Sequence, residues 1–504
     1  MPLRTILALG LFTVAVSLQA QSTQESAPST RPATQPSTHP LVGIWEGVLK
    51  VGPSKLRLVL RVRERDGKIE AIVDSPDQGA FGLKVDAVEL EGDAVRVKMK
   101  EIGAEFSGTL KPAIPEIDGK WKQGLAMPLV LKKVEKPSET KRPQDPLPPY
   151  PYREEDVVYS YSPAEGANAS TKAGAARDDA SRITLAGTLT VPPGDGPHPA
   201  ALLITGSGQQ DRNEFLMGHR PFLVLADHLT RSGFAVLRVD DRGVGGSNGD
   251  VLGATSADFA EDVRAGLAFL KARPEIDAKR TGLIGHSEGG LIGPLVAAEN
   301  PDVAFVVLLA GPGVPGLDII LLQSRLMMAA VGAQKEMIDR HEVLRRDLFT
   351  LLAAEKDEKV FAEKARQLIE PIMRDTMPGV GEEMLTQQID QQIKSVNSPW
   401  FRLFITHDPR PILAKLACPV LALNGEKDLQ VDAGQNLPEI VTALEAGKCR
   451  DYTVAKMKGL NHLFQAASTG SVQEYGMIEE TFNRRALEAI SAWLAERFAG
   501  KERR

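Results

Sequence analysis

The chain has 504 residues, of which 42% are hydrophobic and 25% charged, and it carries a formal net charge of −6. This length exceeds what one ordinary hydrophobic core supports, so we expect two or three domains in a globular protein. The mild acidity, without a basic stripe of interleaved aromatic residues, excludes nucleic acid as a partner.

The N-terminus has the pattern of a secretory signal. Arg4 precedes a short apolar stretch, residues 6–18, which leads into a cleavage site after Ala20. The stretch is too short to span a bilayer comfortably, so we expect residues 1–20 to be removed and no stable membrane insertion to remain. The mature protein is therefore expected to be secreted or periplasmic. Residues 21–40, rich in Ser, Thr, Pro and Gln, predict a disordered tether.

Residues 41–134 change to a period of two. Apolar and charged side chains alternate in residues 56–63 and 95–100, and turn signals separate these runs. Several short strands at this spacing predict a small antiparallel β-barrel or sandwich. Trp45 and Trp121 are either ligand-stacking residues or core residues of this β-domain, and the core role is favoured.

Two segments that contain proline predict different structures, a turn and a linker. Residues 74–79 read Asp-Ser-Pro-Asp-Gln-Gly, and because no partner base lies nearby they predict a tight turn rather than a reactive site. Residues 135–152 contain six prolines among charged residues. They predict a stiff linker and place the domain boundary between the β-domain and the rest of the chain.

Residues 153–504 alternate between strands and helices. Apolar runs predict strands and amphipathic segments predict helices, which together indicate a parallel sheet covered by helices on both faces. The predicted strands are 183–191, 200–204, 235–239, 303–310 and 420–423, and the predicted helices are 221–232, 258–270 and 481–498.

A charged helical block, residues 316–396, interrupts this alternation. We expect it to be a lid inserted over the carboxyl edge of the sheet, where it would shape and dry a substrate pocket. A helical pair with no part in binding remains the alternative.

The sequence Gly285-His286-Ser287-Glu288-Gly289 matches the G-x-S-x-G nucleophile elbow. A buried strand precedes it and a helix follows it, as the motif requires. A serine lifted out of such a turn has a strained backbone, and glycine at both flanking positions removes the side chains that would collide there. Ser287 is therefore the predicted nucleophile.

A serine nucleophile needs a base, and the base needs an orienting acid. In a fold with this elbow the chain order is serine, acid, histidine. Asp428 follows the late strand 420–423 and is the preferred acid, with Glu426 and Asp432 as rivals in the same loop. His462 is the histidine that remains near the end of the chain, and it is the predicted base.

Transition-state charge needs hydrogen-bond donors. The backbone N–H of Glu288, directly after the nucleophile, is one predicted oxyanion donor, and that of Ser207 is the other, with Gly208 as second choice. His219 is also compatible with packing at a helix start. The residues predicted to line the substrate pocket are Gly208, Gln209, Arg212 and His219.

Other polar residues are expected to be structural. Asp240-Asp241-Arg242-Gly243 predicts a bracing loop in which Arg242 forks a carboxylate. Cys418 begins an apolar run and is expected to be buried. The sequence does not decide whether it forms a disulfide with Cys449. The eight histidines are scattered without metal-ligand spacing, so no metal site is predicted.

The blocks 206–212, 240–243 and 285–290 together resemble the α/β-hydrolase superfamily, and most closely its bacterial carboxylesterases. The resemblance covers about residues 157–498. It implies an eight-stranded, mostly parallel sheet, a Ser–Asp–His triad and no cofactor. It also implies a small-molecule substrate, a short-chain acyl ester hydrolysed through an acyl-enzyme, and some relatives carry an N-terminal β-domain of lipocalin-like appearance. The block 316–396 matches nothing in this family.

Two other functions stay open at this point. A serine peptidase of the prolyl-oligopeptidase type shares the fold and triad, although such enzymes usually carry a propeller larger than the β-domain predicted for residues 41–134. A non-catalytic binding protein on a hydrolase scaffold is the third possibility, and the complete set of Ser287, Asp428 and His462 argues against it. The oligomeric state is not indicated by the sequence.

Overall fold

We describe the fold from a computed structural model. The predicted signal peptide, residues 1–20, and nearly all of the predicted tether lie outside the described residues. No helix in the described part of the chain combines the length and the apolar character that a membrane span requires. The described residues are 39–51, 54–65, 67–78, 80–100, 102–123, 125–138, 141–163, 182–377 and 380–498.

The N-terminal part of the chain forms one antiparallel sheet. Its strands are β1 (Gly43–Val51), β2 (Ser54–Arg65), β3 (Lys68–Ser75), β4 (Ala80–Lys84), β5 (Ala87–Glu91), β6 (Ala94–Met99), β7 (Ala104–Lys111), β8 (Glu116–Gln123) and β9 (Leu125–Val134). They follow the order β4-β3-β2-β1-β9-β8-β7-β6-β5. The predicted antiparallel β-domain is therefore confirmed.

This β-domain is a single curled sheet rather than two stacked sheets. Strands β3 and β5 come from opposite halves of the sheet and approach each other, so the side chains on the inner face meet across the curl. Trp45 and Trp121 are 1% and 5% exposed and belong to this core, as the favoured alternative predicted. The Trp45 indole N–H donates to the carbonyl of Leu41 at 2.7 Å, which satisfies its polar atom.

The C-terminal part is built on a second sheet. Its strands are β10 (Arg153–Tyr161), β11 (Ile183–Val191), β12 (His198–Ile204), β13 (Ala235–Val239), β14 (Ile276–His286), β15 (Val306–Leu309), β16 (Val420–Gly425) and β17 (Tyr452–Met457). Their order is β10-β11-β13-β12-β14-β15-β16-β17. The first two pairings are antiparallel and all others are parallel, which confirms the predicted eight-stranded, mostly parallel sheet.

Helices cover both faces of this sheet because alternate strand residues point in opposite directions. Val306 and Leu308 pack against α2 (Ser256–Lys271), α3 (Gly289–Glu299) and α10 (Ala433–Ala446). Val307 and Leu309, their neighbours on the same strand, pack against α1 (Pro221–Arg231) and α12 (Arg484–Phe498). The near-continuous apolar runs in the sequence are explained by this burial on two faces.

The predicted lid lies between β15 and β16 and has a core of its own. It begins at Gly316 as predicted but extends past residue 396, because Ser398 caps a further helix that begins with Pro399. Proline suits the first turn of a helix, so this proline starts a helix instead of ending the block. Its helices are α4 (Gly316–Ala330), α5 (Lys335–Ala354), α6 (Glu358–Thr376), α7 (Glu382–Val396), α8 (Pro399–Thr406) and α9 (Arg410–Leu413).

The second half of the predicted linker, residues 141–152, packs on the C-terminal part. The Gln144 side chain accepts from the N–H groups of Thr481 and Phe482 and donates to the carbonyl of Phe482. Asp145 forms an ion pair with Arg220 at 2.9 Å. These bonds fix the position of the linker between the two sheets.

Both cysteines are free thiols. Cys449 is buried and Cys418 partly buried, so the disulfide that the sequence left open is not formed.

Candidate active site

Ser287 lies at a sharp turn between the end of β14 at His286 and the start of α3 at Gly289. Its φ of +53° is in the left-handed region, which costs a non-glycine residue on the order of 1–3 kcal/mol. The Ser287 N–H donates to the carbonyl of Leu309 at 2.8 Å and so anchors the turn to β15. A Cβ atom on Gly285 would collide with the carbonyl of Gly289, and one on Gly289 would collide with that of Ile204.

The structure brings Asp428 and His462 together. Asp428 Oδ2 lies 2.8 Å from His462 Nδ1, and the two residues are 1% and 4% exposed. Asp428 Oδ1 accepts from the N–H groups of Gln430 and Val431 at 2.8 and 2.9 Å. Because the carboxylate faces Nδ1, the proton of the neutral imidazole sits there and Nε2 keeps its lone pair. Asp428 thus fixes both the orientation and the tautomer of the neutral His462 ring.

The two rival acids are engaged elsewhere. Glu426 is exposed and accepts from the N–H of Gly459 at 2.9 Å. Asp432 caps α10 by accepting from the N–H of Gln435 at 2.8 Å. Each carboxylate therefore has a structural partner, whereas Asp428 holds the imidazole.

His462 also lies beside the elbow. The residue before Ser287 is His286, whose ring centre is 4.8 Å from that of His462. His286 Nε2 is hydrogen bonded to the carbonyl of His462 at 3.0 Å. These two contacts bring the loop of His462 against the turn that carries Ser287.

His286 forms a buried ion pair that the sequence analysis missed. Its Nδ1 lies 2.8 Å from Glu214 Oε1, which also accepts from the N–H of Gly206 at 2.8 Å. One ring nitrogen faces a carboxylate and the other the His462 carbonyl, so with Glu214 ionised both nitrogens donate and the ring is an imidazolium. Burial lowers the pKa of His286, but the charge of Glu214 outweighs it and raises the pKa above its ordinary value. No local spacing signals this pair, whose members are 72 residues apart.

The predicted oxyanion donors lie on the two loops that meet at this point. Glu288 is the N-cap of α3, and Ser207 follows β12 next to Gly206, which Glu214 holds. Among the described residues, the backbone N–H groups of Ser207 and Glu288 donate to no protein acceptor. Gly208, the second choice, has a φ of +102°, which a glycine adopts without strain.

The Glu288 side chain connects the elbow to the lid. Its Oε1 accepts from Ser256 Oγ at 2.6 Å and from the Trp400 indole N–H at 2.7 Å. Burial raises the pKa of the Glu288 carboxyl, while hydrogen bonds from Ser256, Trp400 and Ser207 work in the opposite direction. The lid therefore touches the residue next to Ser287, and this contact, 112 residues apart in sequence, was not foreseen.

The residues predicted to line the pocket differ in their surroundings. Gln209 is exposed on the loop after β12. Arg212 forks Asp240 at 3.0 and 2.8 Å and so braces that loop. His219 packs at the helix start, which was the alternative, instead of lining a pocket. Its side chain is 0% exposed and its nitrogens lie 3.0 Å from Thr481 Oγ1 and 2.8 Å from the Tyr475 carbonyl. Burial lowers the pKa of His219 to about 4, so it is a neutral packing residue.

Arg242 braces its loop as predicted, but instead of forking one carboxylate it contacts Asp262, the Tyr161 hydroxyl and the Asp258 carbonyl. Its Nε donates to Asp262 at 2.8 Å, and another guanidinium nitrogen donates to the Tyr161 hydroxyl at 3.0 Å.

No three His, Cys, Asp or Glu side chains are grouped to hold a metal ion within the part of the chain that the structure describes.

The chain is similar to several known proteins. Residues 220–465 match the family described as serine aminopeptidase, S33. The chain is 24% identical over 312 residues to the esterase EstD of Thermotoga maritima, an alignment that covers 62% of this chain and 66% of that esterase. An uncharacterised 31.7 kDa protein of Escherichia coli is 24% identical over 319 residues, covering 61% of this chain and 94% of that protein. The structure of the α/β hydrolase GrgF from Penicillium sp. sh18 is 16% identical with a TM-score of 0.41, covering 69% of this chain and 100% of that one.

Glu214→Gln tests the buried ion pair through its pH dependence. Because the pair raises the pKa of His286, its stabilising effect is fully present below about pH 6.5 and is lost as the pH rises through the folded-state pKa. We expect the melting temperature of the variant to lie furthest below that of the native protein near pH 6 and the gap to narrow toward pH 9.5. Breaking a buried pair costs about 3–5 kcal/mol at full effect.

Circular dichroism melts at half-unit pH steps measure this gap. Glu299→Gln, which removes an exposed partner of Arg264, is the matched control and should show a small gap without this trend. A gap for Glu214→Gln that stays constant or widens with rising pH would contradict the assignment.

Proposed function

We propose that residues 153–498 form a serine esterase of the α/β-hydrolase superfamily that hydrolyses short-chain carboxylic esters through an acyl-enzyme. The observation that carries the proposal is the buried bond between His462 and Asp428, next to a serine held at positive φ. An imidazole oriented in this way is what a serine hydroxyl needs to become a nucleophile at neutral pH.

Each residue of the site acts at a defined step of the proposed reaction. His462 Nε2 takes the proton of Ser287 Oγ as that oxygen attacks the ester carbonyl carbon. The N–H groups of Ser207 and Glu288 donate to the oxygen that becomes negatively charged, and the N-terminus of α3 adds its partial positive charge. His462 then protonates the departing alcohol. Water deprotonated by His462 attacks the acyl carbon, and as the bond to Ser287 Oγ breaks His462 returns that proton to Oγ and the acid is released. Asp428 stabilises the imidazolium in both steps.

The ester as substrate is supported by the relative EstD, which is named an esterase. The serine aminopeptidase description of the matched family supports a second candidate, hydrolysis of an amide bond in a peptide. Both reactions use the same triad, but an amide needs stronger protonation of its leaving group by His462. Trp400 of the lid contacts Glu288, the neighbour of Ser287, and we propose that the lid limits the substrate to a small ester.

The acid of the triad is tested by a pair of substitutions in one loop. Asp428→Asn keeps the size of the side chain, but the asparagine NH2 group donates toward His462 Nδ1. The variant therefore favours the wrong imidazole tautomer and should lower kcat by about 10⁴-fold. Asp432→Asn, four residues later, changes only a helix cap and should stay within about threefold of the native kcat. Steady-state hydrolysis of p-nitrophenyl butyrate measures both. Equal losses in the two variants would rule out Asp428 as the acid.

The reaction class is tested by comparing substrates on one enzyme preparation. We expect p-nitrophenyl acetate and butyrate to be cleaved with kcat/KM at least about 10²-fold above that of aminoacyl p-nitroanilides, because an alkoxide leaves more easily than an amide. Ser287→Ala should abolish both activities and labelling by a fluorophosphonate probe, with a loss in kcat of at least about 10⁴-fold. Faster cleavage of the anilides would favour the peptidase, and an unlabelled native protein would favour a non-catalytic protein.

Trp400→Phe tests whether the lid shapes the acyl site. The substitution keeps an aromatic ring but removes the N–H that holds α8 to Glu288. A loosened lid should admit longer chains, so the ratio of kcat/KM for p-nitrophenyl octanoate to that for the acetate should rise about threefold or more.

Trp493→Phe is the matched control. It also removes an indole hydrogen bond, to Thr453 at 3.1 Å, but lies on α12. Its ratio should equal that of the native enzyme. An unchanged ratio in Trp400→Phe would show that the lid contact does not set acyl length.

A further inference from the structure

The β-domain touches the C-terminal part at the short 3₁₀-helix Pro76–Gln78, which packs against α11 (Val472–Tyr475). The contact is between backbones. A Cβ atom placed on Gly476, directly after α11, would lie 2.7 Å from the Asp77 carbonyl oxygen and 3.1 Å from Asp77 Cα. The turn predicted at residues 74–79 is thus the point at which the β-domain meets the hydrolase.

This turn is rigidly attached to the β-domain. Asp77 is 4% exposed, and Arg57 on β2 donates to it from its backbone N–H at 2.7 Å and from Nε at 2.8 Å. Another nitrogen of Arg57 donates to the carbonyl of Ser138 in the linker at 2.7 Å. Arg57 therefore joins the sheet, the turn and the linker.

The linker adds a second attachment at the same place. Arg142 donates to the carbonyls of Gly476 and Ile478 at 3.0 and 2.8 Å and to that of Met217 at 2.9 Å. Burial lowers the pKa of Arg142 to about 10, which still leaves it charged at neutral pH. The guanidinium thus joins the end of α11 to the loop before α1.

Tyr475, the last residue of α11, contacts both loops of the proposed acid–base pair. It is fully buried and packs against Leu463, the neighbour of His462. Its hydroxyl oxygen accepts from Gln430 Nε2 at 3.2 Å, and the backbone N–H of Gln430 donates to Asp428. Burial raises the pKa of Tyr475, so the phenol remains neutral throughout the pH range of catalysis.

We propose that the β-domain is a brace for the catalytic site: through its 3₁₀-helix it holds Tyr475, and Tyr475 positions the loops of Asp428 and His462. The proposal rests on the function proposed above. Tyr475 is a positioning residue, since it acts through Gln430 and Leu463. The observations favour this role over a separate binding module, because the buried contacts of Asp77 and Arg142 converge on the segment that follows α11.

Gly476→Ala isolates this contact. Gly476 has φ −62° and ψ −24°, a helical conformation that alanine adopts readily, so the added methyl group meets resistance from Asp77 of the β-domain. We expect kcat on p-nitrophenyl butyrate, per active site titrated with a fluorophosphonate, to fall about 5- to 20-fold with KM within about twofold, as for a small misplacement of catalytic groups. Glu299→Gln, an exposed substitution at the last residue of α3, is the control, and its kcat should not change.

Tyr475→Phe provides the second arm. It keeps the ring against Leu463 and removes the bond from Gln430, so kcat per titrated site should fall about 3- to 10-fold at constant KM. The double variant with Gly476→Ala should lose less than the product of the two single losses, because both act on the same positioning residue.

Unchanged kcat per titrated site in both single variants, or losses that multiply in the double variant, would overturn the brace. A rise in KM alone would point to substrate binding by the β-domain and would overturn it as well. A native protein that neither labels nor hydrolyses esters would instead disprove the proposed function.

Discussion

The hydrogen bond between the His462 imidazole and the Asp428 carboxylate is the interaction on which the rest of the site depends. Its partners follow β17 and β16, and Ser287 follows β14 in the same sheet. Because the carboxyl ends of parallel strands share one edge, the register of the sheet brings these distant loops together. A buried carboxylate is costly unless it is bonded, and the N–H groups of Gln430 and Val431 together with His462 supply the bonds that make this one tolerable.

The two neighbours of Ser287 hold the strained turn from opposite sides. His286 reaches Glu214 and the backbone of His462, so the base is tied to the turn of the nucleophile. Glu288 reaches Ser256 on α2 and Trp400 in the lid. The backbone strain of the elbow is thereby spread over contacts with four other segments, which is how a positive φ at a non-glycine residue persists. In the brace that we propose, the β-domain adds a fifth segment through Tyr475.

The sequence predicted those features that depend on local patterns. Strands β11 and β13 match the predicted bounds because they are buried on both faces, whereas β10 and β17 were missed because edge strands carry polar residues and show no continuous apolar run. Ser287, Asp428 and His462 followed from a motif and a chain order. Glu214, Trp400 and Tyr475 have no such signal, since their importance arises from partners far away in the chain. The curl of the N-terminal sheet and the bonds of the linker likewise depend on packing that periodicity does not encode.

The most direct test of the account is a crystal structure of the protein after reaction with a fluorophosphonate. The account predicts a bond from Ser287 Oγ to phosphorus, a phosphoryl oxygen about 2.7–3.1 Å from the N–H groups of Ser207 and Glu288, and His462 Nε2 within hydrogen-bond distance of the adduct. An adduct on another residue, or a phosphoryl oxygen that contacts neither N–H group while His462 lies out of reach, would contradict it.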